Sequence, residues 1–212
     1  MPPGSFAAIV IIAWLGAAPQ FPAPVEDPKT NRSKEETAVL AAGCFWGVEA
    51  VFERLAGVKD VVSGYSGGSK SSAVYYIVSS GTTGHAESVR ITFDPSKITY
   101  GQLLRVFFAV AHDPTQLNRQ GPDEGPQYRS AIFFANAEQK AIAEAYIRQL
   151  NDARVFPQRI VTAVTTLQGF YPAETNHQDF VRRNPDHPYV VAHDLPKIAH
   201  LRREFPELLK RN

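Results

Sequence analysis

Between residues 37 and 55 the hydrophobic pattern changes its period at a glycine-flanked cysteine. The segment TAVLAAG, residues 37–43, is a short apolar run that ends in glycine, which predicts a buried strand. Directly after it, apolar residues recur at the i, i+3, i+4 and i+7 spacing of an amphipathic helix, at Val48, Val51, Phe52 and Leu55. The sequence therefore predicts that a strand passes into a helix at Cys44, the one cysteine of the chain.

The rest of the sequence continues this alternation of strands and helices. In HAESVRITFDP, residues 85–95, apolar and polar residues alternate with the period of a half-buried strand, and Glu87 shares the inward face with Val89. Further strands are predicted around 56–68, 128–136 and 159–167, and helices at 100–111 and 137–151. We therefore expect an α/β (α+β) fold with one mixed sheet.

Size, charge and cysteine count exclude several classes of protein. A chain of 212 residues fits one domain, or at most two small ones, and a net charge of +1 gives no sign of a nucleic-acid partner. A single cysteine excludes an intrachain disulfide and a multi-cysteine zinc site, and the six histidines lack a paired-ligand spacing, so we expect no metal. GYSGG, residues 64–68, lacks the continuation of a phosphate-binding loop, and we expect no cofactor.

The first 20 residues differ in composition from everything after them. Residues 6–18 are almost wholly apolar, which is short for a membrane span of about 20 residues but fits the apolar region of a signal peptide. We expect residues 1–20 to be a signal peptide or a short hydrophobic segment, and the protein to be exported to a bacterial periplasm. No Lys or Arg precedes the apolar run, so a cytoplasmic protein with an anchored or disordered N-terminus is the alternative. Residues 21–36, rich in proline and charge, are predicted to be a linker, and residues 37–212 the folded domain.

The position of Cys44 favours chemistry over simple packing. At the N-terminus of a helix, unpaired amides and the helix dipole lower the pKa of a thiol and favour the nucleophilic thiolate. Gly43 and Gly47 permit the close approach of another molecule. Phe45 and Trp46 are bulky residues for the first turn of a helix unless they form the wall of a pocket. The alternative is that Cys44 is a buried small hydrophobic residue, as free cysteines frequently are.

Two further clusters carry groups suited to acid–base chemistry or ligand binding. Burial of Glu87 on the inward face of its strand would raise the pKa of the carboxyl group and suit it to act as a general acid near neutral pH. The alternative is a structural carboxylate that accepts hydrogen bonds from nearby amides. The polar segment 112–130, rich in glycine and proline, is long enough to be a functional loop in which Asp123 and Tyr128 hydrogen-bond a ligand. The alternative is a solvated surface loop.

Five motifs, taken in order, resemble those of the A-type peptide methionine sulfoxide reductases. They are GCFWG at 43–47, GYSGG at 64–68, TGHAESVRITFDP at 83–95, HDPTQLNRQGPDEGPQYRSAIF at 112–133 and NHQDF at 176–180. The resemblance extends over residues 37–209 and implies a two-layer sandwich with a mixed, ferredoxin-like sheet, so that residues 37–212 form the catalytic domain. It also implies the reduction of methionine S-sulfoxide in oxidised proteins, and in the free amino acid, with the opposite epimer left to another enzyme.

The same resemblance implies roles for particular residues. Cys44 is implied to be the nucleophile that attacks the sulfoxide sulfur, and Glu87 the acid that hydrogen-bonds or protonates the sulfoxide oxygen. Tyr75 and Tyr128 are implied to donate hydrogen bonds to the same oxygen. Three residues are implied to bind the substrate, the first two at its S-methyl group: Phe45, Trp46 and Asp123.

The sequence departs from the family where many members carry further cysteines near the C-terminus. Residues 184–212 contain none, which resembles the single-cysteine branch, so a sulfenic acid on Cys44 would need an external thiol. Thioredoxin, or glutathione with or without glutaredoxin, are the candidate donors. Phe180 stands where some relatives have tyrosine, and Pro126 where a small polar residue is common. We expect His85 to be structural and the protein to be a monomer.

Two other functions stay open at this point. A Cys–His acyl hydrolase or transferase predicts a base within hydrogen-bond reach of Cys44, and turnover of an ester or amide that tolerates Glu87→Gln. A catalytically inactive module that binds methionine-containing peptides through Phe45 and Trp46 predicts binding of methionine sulfoxide that survives Cys44→Ser.

Overall fold

The computed structural model describes residues 21–28 and 33–211. The strands in this part of the chain are β1 Glu36–Ala42, β2 Val58–Ser66, β3 Ala86–Phe93, β4 Arg119–Gln120, β5 Asp123–Glu124, β6 Ser130–Phe134, β7 Ala163–Thr166 and β8 Phe170–Pro172. The α-helices are α1 Phe45–Phe52, α2 Tyr75–Val78, α3 Tyr100–Val106, α4 Ala137–Asp152, α5 Phe180–Arg183 and α6 Leu195–Glu204. The signal-peptide prediction, residues 1–20, falls outside the described residues.

One mixed sheet organises the molecule, with strand order β7–β6–β1–β3–β2–β8. β6 and β7 are parallel, and the other neighbouring strands are antiparallel. The four central strands follow the order β6–β1–β3–β2, with α1 between β1 and β2 and α3 between β3 and β6, which is the ferredoxin-like βαββαβ arrangement. The predicted α/β class with a mixed sheet is confirmed. β4 and β5 form a separate short hairpin between α3 and β6.

The main hydrophobic core lies between one face of this sheet and the helices. Successive side chains of a strand point to opposite faces, so Leu40 and Ala42 on β1 join the main core, whereas Val39 and Ala41 join a smaller cluster on the other face. Helices α1, α3 and α4 supply the helical side of the main core. This arrangement positions the N-terminus of α1 at the end of β1.

Side-chain caps explain where the two longest predicted helices begin. The Thr99 hydroxyl accepts a hydrogen bond from the Gln102 amide while the Gln102 side chain accepts one from the Thr99 amide, a capping box that starts α3. The Asn136 side chain accepts from the Gln139 amide and starts α4. After α3 the chain continues as a wider π-helical turn, Phe107–Ala111. The predicted helices at 100–111 and 137–151 are therefore confirmed, the first with a change of winding.

Two parts of the predicted linker are described, residues 21–28 and 33–36, and the last residue, Glu36, already belongs to β1. The first part packs along the helical layer. The Tyr146 hydroxyl of α4 donates a hydrogen bond to the Pro22 carbonyl at 2.6 Å, and the Gln149 side-chain amide donates to the Ala23 carbonyl at 2.8 Å. These bonds hold the segment against α4. Over the described residues, the structure has no helix with the length and apolar character needed to span a membrane.

Candidate active site

The turn from β1 into α1 places Cys44 at the N-terminus of the helix. Gly43 adopts a left-handed φ of +85°, and a Cβ atom there would lie 2.6 Å from the side chain of Gln120, so the turn requires glycine. Cys44 is the N-cap residue of α1 and is only 8% exposed. The predicted passage from strand to helix at Cys44 is confirmed.

Glu87 lies beside this turn because β3 is the hydrogen-bonded neighbour of β1. Leu40 of β1 pairs with Val89 of β3, which brings Glu87, two residues earlier in β3, close to the end of β1. The backbone N–H of Phe45 donates a hydrogen bond to Oε2 of Glu87 at 3.1 Å. Glu87 is 3% exposed, so its predicted inward position is confirmed.

A cavity of about 220 Å³ opens beside the thiol and this carboxyl group. The seven residues singled out by the sequence all line it: Cys44, Phe45, Trp46, Tyr75, Glu87, Asp123 and Tyr128. They come from parts of the chain that are distant in sequence, namely α1, α2, β3, the β4–β5 hairpin and the turn before β6. The tail of the chain adds two residues to the lining, His187 and Tyr189.

Burial, rather than the helix N-terminus, sets the pKa of the Cys44 thiol. Removal of the thiol from water is the largest influence and raises its pKa well above the ordinary value, and the charges of Glu87 and Asp194 raise it further. The backbone N–H of Trp46 and the charge of Lys197 lower the pKa but do not outweigh these causes. The expected depression is therefore wrong, because one amide of the first helical turn does not replace the lost hydration of a thiolate.

Glu87 has the raised pKa expected of an inward-facing carboxyl group. Burial raises the pKa of Glu87 to about 8, the Phe45 N–H lowers it, and the charge of Asp123 raises it again. A carboxyl group with this pKa is mostly protonated at neutral pH. It can therefore donate a proton within the cavity.

The two predicted tyrosine donors are held in the cavity wall by different elements. The Tyr75 N–H, at the start of α2, donates a hydrogen bond to Oε1 of Glu174 at 2.8 Å, and the Tyr65 hydroxyl donates to Oε2 of the same residue at 2.9 Å. Tyr128 ends the short 3₁₀ turn before β6. Burial raises the pKa of both Tyr75 and Tyr128, so their hydroxyls remain protonated hydrogen-bond donors.

Trp46 is packed by residues of the C-terminal tail. Its indole N–H donates a hydrogen bond to Nδ1 of His177 at 3.2 Å. The ring of Phe180 stacks on the indole, with the centroids 3.6 Å apart and the planes at 8°, and Tyr189 meets it edge-on at 5.8 Å. Phe180 thus supplies an apolar stacking face to the indole.

The sequence reading missed the contribution of His177, His187 and Tyr189. His177 bonds the indole, His187 and Tyr189 line the cavity, and the Tyr189 hydroxyl donates a hydrogen bond to Oδ2 of Asp123. Histidines and an aromatic residue close together in the tail were the available signal. Their spacing does not reveal that the tail folds back onto α1.

His85, two residues before Glu87, is hydrogen-bonded to the backbone of a neighbouring loop. Gly68 N–H donates a hydrogen bond to Nδ1 of the buried His85 at 3.2 Å, and His85 Nε2 lies 2.9 Å from the Ser69 carbonyl oxygen. Within residues 21–28 and 33–211, no hydrogen bond joins a histidine to Cys44, although His187 lines the same cavity. In the same part of the chain, no group of three or more His, Cys, Asp or Glu side chains is arranged to hold a metal ion.

Sequence comparisons match the whole folded region to one family. A family model described as "Peptide methionine sulfoxide reductase" matches residues 36–208. A peptide methionine sulfoxide reductase of Mesorhizobium japonicum is 60% identical over 173 residues, which span 82% of this chain and 89% of that protein. One from Synechocystis is 55% identical over 193 residues, 90% of each chain.

Solved structures agree with these sequence matches. The reduced form of Mxr1 from Saccharomyces cerevisiae superposes with a TM-score of 0.65 at 33% identity, over 75% of this chain and 91% of that one. Methionine sulfoxide reductase A of Corynebacterium diphtheriae gives a TM-score of 0.64 at 35% identity, over 73% of this chain and 77% of that one.

Proposed function

The chain belongs to the peptide methionine sulfoxide reductase family, and from that membership we propose that Cys44 reduces methionine S-sulfoxide by way of a sulfenic acid. The enzyme is a peptide-methionine (S)-S-oxide reductase. The main support for the roles of Cys44 and Glu87 is the hydrogen bond from the Phe45 N–H to Glu87. This bond holds a protonatable carboxyl group next to Cys44 in one cavity.

The reaction balances with the two groups that this hydrogen bond brings together. The sulfur of Cys44 attacks the sulfur of the sulfoxide, and Glu87 gives a proton to the sulfoxide oxygen, which is a poor leaving group until it is protonated. The hydroxyl leaves the substrate sulfur and becomes bonded to the sulfur of Cys44, while the transient bond between the two sulfurs breaks, so that methionine departs and Cys44 is left as a sulfenic acid. The substrate is reduced by two electrons and the thiol is oxidised by two. The proton that the thiol loses returns to the Glu87 carboxylate, so Glu87 ends the step protonated as it began.

The rest of the cavity wall orients the substrate for this attack. The apolar rings of Phe45 and Trp46 hold the S-methyl group, and the hydroxyls of Tyr75 and Tyr128 hydrogen-bond the sulfoxide oxygen. Each of these side chains lines the same cavity. Exclusion of water from the cavity strengthens the polar contacts to the oxygen. Asp123 contacts the polar part of the substrate.

Regeneration requires a thiol from outside the chain, since Cys44 is its only cysteine. A first external thiol attacks the sulfenic acid, forms a mixed disulfide with Cys44 and releases water. A second thiol attacks that disulfide, restores the Cys44 thiol and leaves as the oxidised donor. A dithiol such as thioredoxin supplies both equivalents from one molecule, and glutathione with or without glutaredoxin supplies them from two.

A single-turnover assay without reductant tests the proposal. The full-length protein is first reduced, and the added thiol reductant is then removed. The protein is mixed with a peptide that carries methionine sulfoxide of one sulfur epimer, and the methionine formed is counted per protein molecule. We expect about one equivalent from the S epimer and none from the R epimer, with a dimedone adduct on Cys44.

The controls separate the reductase from the other two functions. Cys44→Ser removes both the product and the adduct if the thiol is the nucleophile. If the Cys44 thiol is shown to be reduced and the protein yields no methionine from either epimer, the proposal is contradicted. Binding of the sulfoxide under the same conditions would then support the binding module. Turnover that is unchanged in Glu87→Gln contradicts the acid role of Glu87.

A further inference from the structure

Glu49 is a buried carboxyl group on α1 that the reaction does not use. It lies three residues after Trp46, so the two side chains lie near each other on the helix surface. It is 2% exposed, and burial raises the pKa of Glu49 to about 7. Its Oε2 atom accepts a hydrogen bond from the backbone N–H of Asp179 at 3.0 Å. A buried carboxyl group is costly to keep, and this amide is its partner in the tail.

Asp179, whose backbone N–H donates to Glu49, has an unusual backbone conformation. Asp179 has a left-handed φ of 53°, a conformation that residues other than glycine rarely adopt and that surrounding contacts must stabilise. The residue before it, Gln178, is anchored separately, because its side-chain amide donates to the carbonyls of Ser63 and Ala173 at 2.9 Å. Gln178 therefore fixes the path of the chain up to the turn, and Glu49 holds the turn itself.

Phe180 follows this turn and forms one face of the wall around Trp46. Its ring lies parallel to the indole with a centroid distance of 3.6 Å. A hydrogen bond holds the edge of the indole, where the N–H donates to His177, and Tyr189 and His187 meet the ring edge-on. The edge of Trp46 is thus fixed by a hydrogen bond and the face by a stacked ring whose backbone depends on Glu49.

We infer that Glu49 is a positioning residue that sets the width of the pocket for the S-alkyl group of the substrate. Trp46 and Glu49 belong to one helix, so the contacts close a ring from α1 through Glu49, Asp179 and Phe180 back to Trp46. Loss of the Glu49 acceptor releases the turn, and Phe180 then no longer confines the indole. The inference rests on the proposed function in one respect, namely that Trp46 contacts the S-methyl group.

The test is the discrimination between an S-methyl and an S-ethyl group. The quantity measured is the ratio of kcat/KM for methionine S-sulfoxide to kcat/KM for ethionine S-sulfoxide. This ratio does not depend on the fraction of the protein that is folded, because that fraction affects both values equally. One methylene in an apolar pocket is worth about 10- to 200-fold in such a ratio. We expect Glu49→Ala to lower the ratio at least about threefold, chiefly through KM.

Two matched variants make the result specific to the hydrogen bond. Glu49→Gln keeps an oxygen that accepts from the Asp179 N–H, and we expect the wild-type ratio. Glu53→Ala removes a half-buried carboxyl group at the C-cap of the same helix, one turn further on. Glu53 accepts its hydrogen bond from Arg54 and acts on Asp179 and Arg182 of the tail through its charge, so its loss removes charge near the turn but keeps the Glu49 hydrogen bond, and we expect the wild-type ratio there too.

Each outcome decides one claim. An unchanged ratio in Glu49→Ala overturns the positioning role, as does a Glu49→Gln variant that behaves like Glu49→Ala or a Glu53→Ala variant that loses the same discrimination. Failure of the wild-type protein to reduce methionine S-sulfoxide would instead overturn the proposed function, so the two failures are distinguishable.

Discussion

The Tyr189 hydroxyl donates a hydrogen bond to Oδ2 of Asp123, and this bond joins the C-terminal tail to the β4–β5 hairpin at the cavity that holds Cys44. Both residues line the cavity. The bond is charge-assisted, which makes it stronger than a bond between neutral groups. It keeps the Asp123 carboxylate, whose charge contributes to the raised pKa of Glu87, in a defined place.

Tyr189→Phe is expected to lower kcat/KM for methionine S-sulfoxide by about 10- to 150-fold, which corresponds to the roughly 1.5–3 kcal/mol of one hydrogen bond to a charged group. The phenylalanine ring keeps the edge-on contact with Trp46, so the loss reports the hydroxyl alone. Tyr76→Phe is the control, because Tyr76 is 87% exposed and lies outside the cavity. Equal kcat/KM values for Tyr189→Phe and wild type would show that Asp123 does not need this donor.

Glu87→Gln is expected to change the two reactions of Cys44 in opposite directions. After burial, the Glu87 charge is the next cause of the raised pKa of Cys44, so its removal lowers that pKa and speeds alkylation by iodoacetamide at a given pH above neutrality. Sulfoxide reduction slows by about 10²- to 10⁴-fold because the general acid is lost. Alkylation is followed by mass spectrometry over a pH series, and reduction by the single-turnover assay.

Cys44 is the only thiol, so the alkylation rate reports this residue alone. Glu53→Gln serves as the control for both rates, because it removes a carboxyl group at the C-cap of α1 that does not line the cavity. A Glu87→Gln variant in which alkylation and reduction both slow would indicate a distorted site instead of a lost acid.

The free energy of unfolding should depend on pH between pH 4.5 and about 8 because of the titration of Glu87. Burial, and after it the charge of Asp123, raises the pKa of Glu87 from 4.5 to about 8, so in this window the folded state binds a proton that the unfolded state has lost. Stability from this group is complete below pH 4.5 and is lost as the pH rises, by up to about 1.4 kcal/mol per pH unit.

Urea unfolding of wild type and Glu87→Gln at about pH 5, 6.5 and 8, near the two ends and the middle of the window, measures the free energy of unfolding of each protein. The variant lacks the titrating group, so its stability relative to wild type should rise with pH. Glu49 and Asp194 also titrate in this range, but they contribute equally to both proteins and cancel in the difference. A difference that stays constant across the three pH values would exclude the raised pKa.

Gly47→Ala is expected to destabilise the protein by about 1–3 kcal/mol through overpacking. A Cβ atom at Gly47 would lie 2.2 Å from Oδ1 of Asp194 and 2.9 Å from its Cγ. Asp194 is fully buried, so its carboxyl group has little room to move. Combining Gly47→Ala with Asp194→Ala removes the obstructing group, and the double variant should show a favourable coupling energy in urea unfolding. Additive effects would mean that the two residues do not meet.

The hydrophobic periods predicted the elements around the site because they are local properties of the chain. The alternation at Glu87, Val89 and Ile91 specifies a strand with an inward carboxyl group, and the i, i+3, i+4 spacing after Cys44 specifies a helix that begins there. The β3 strand and the α1 helix have these positions in the structure. The family resemblance also grouped seven of the nine residues that line the cavity, and the two that it left out, His187 and Tyr189, come from the tail. The signal peptide and the export that it implies remain predictions, since they concern residues 1–20.

The pKa of Cys44 is a case where the local argument failed. Its position at the helix N-terminus was read correctly, but the sign of the shift depends on how much water the fold excludes and on which charges surround the thiol. Those charges come from β3, at Glu87, and from the tail, at Asp194 and Lys197. No spacing within GCFWG contains that information.

The sequence by itself determined the class of fold, the order of the elements and the candidates for the reacting groups, because these follow from periodicity, turn chemistry and motif. Only the tertiary structure decided that the C-terminal tail returns to α1, where Phe180 stacks on Trp46 and Tyr189 reaches Asp123. Contacts between residues more than 60 positions apart arise from the packing of the whole chain. Burial and long-range charge act through space, so the pKa values and the shape of the cavity exist only once that packing is complete.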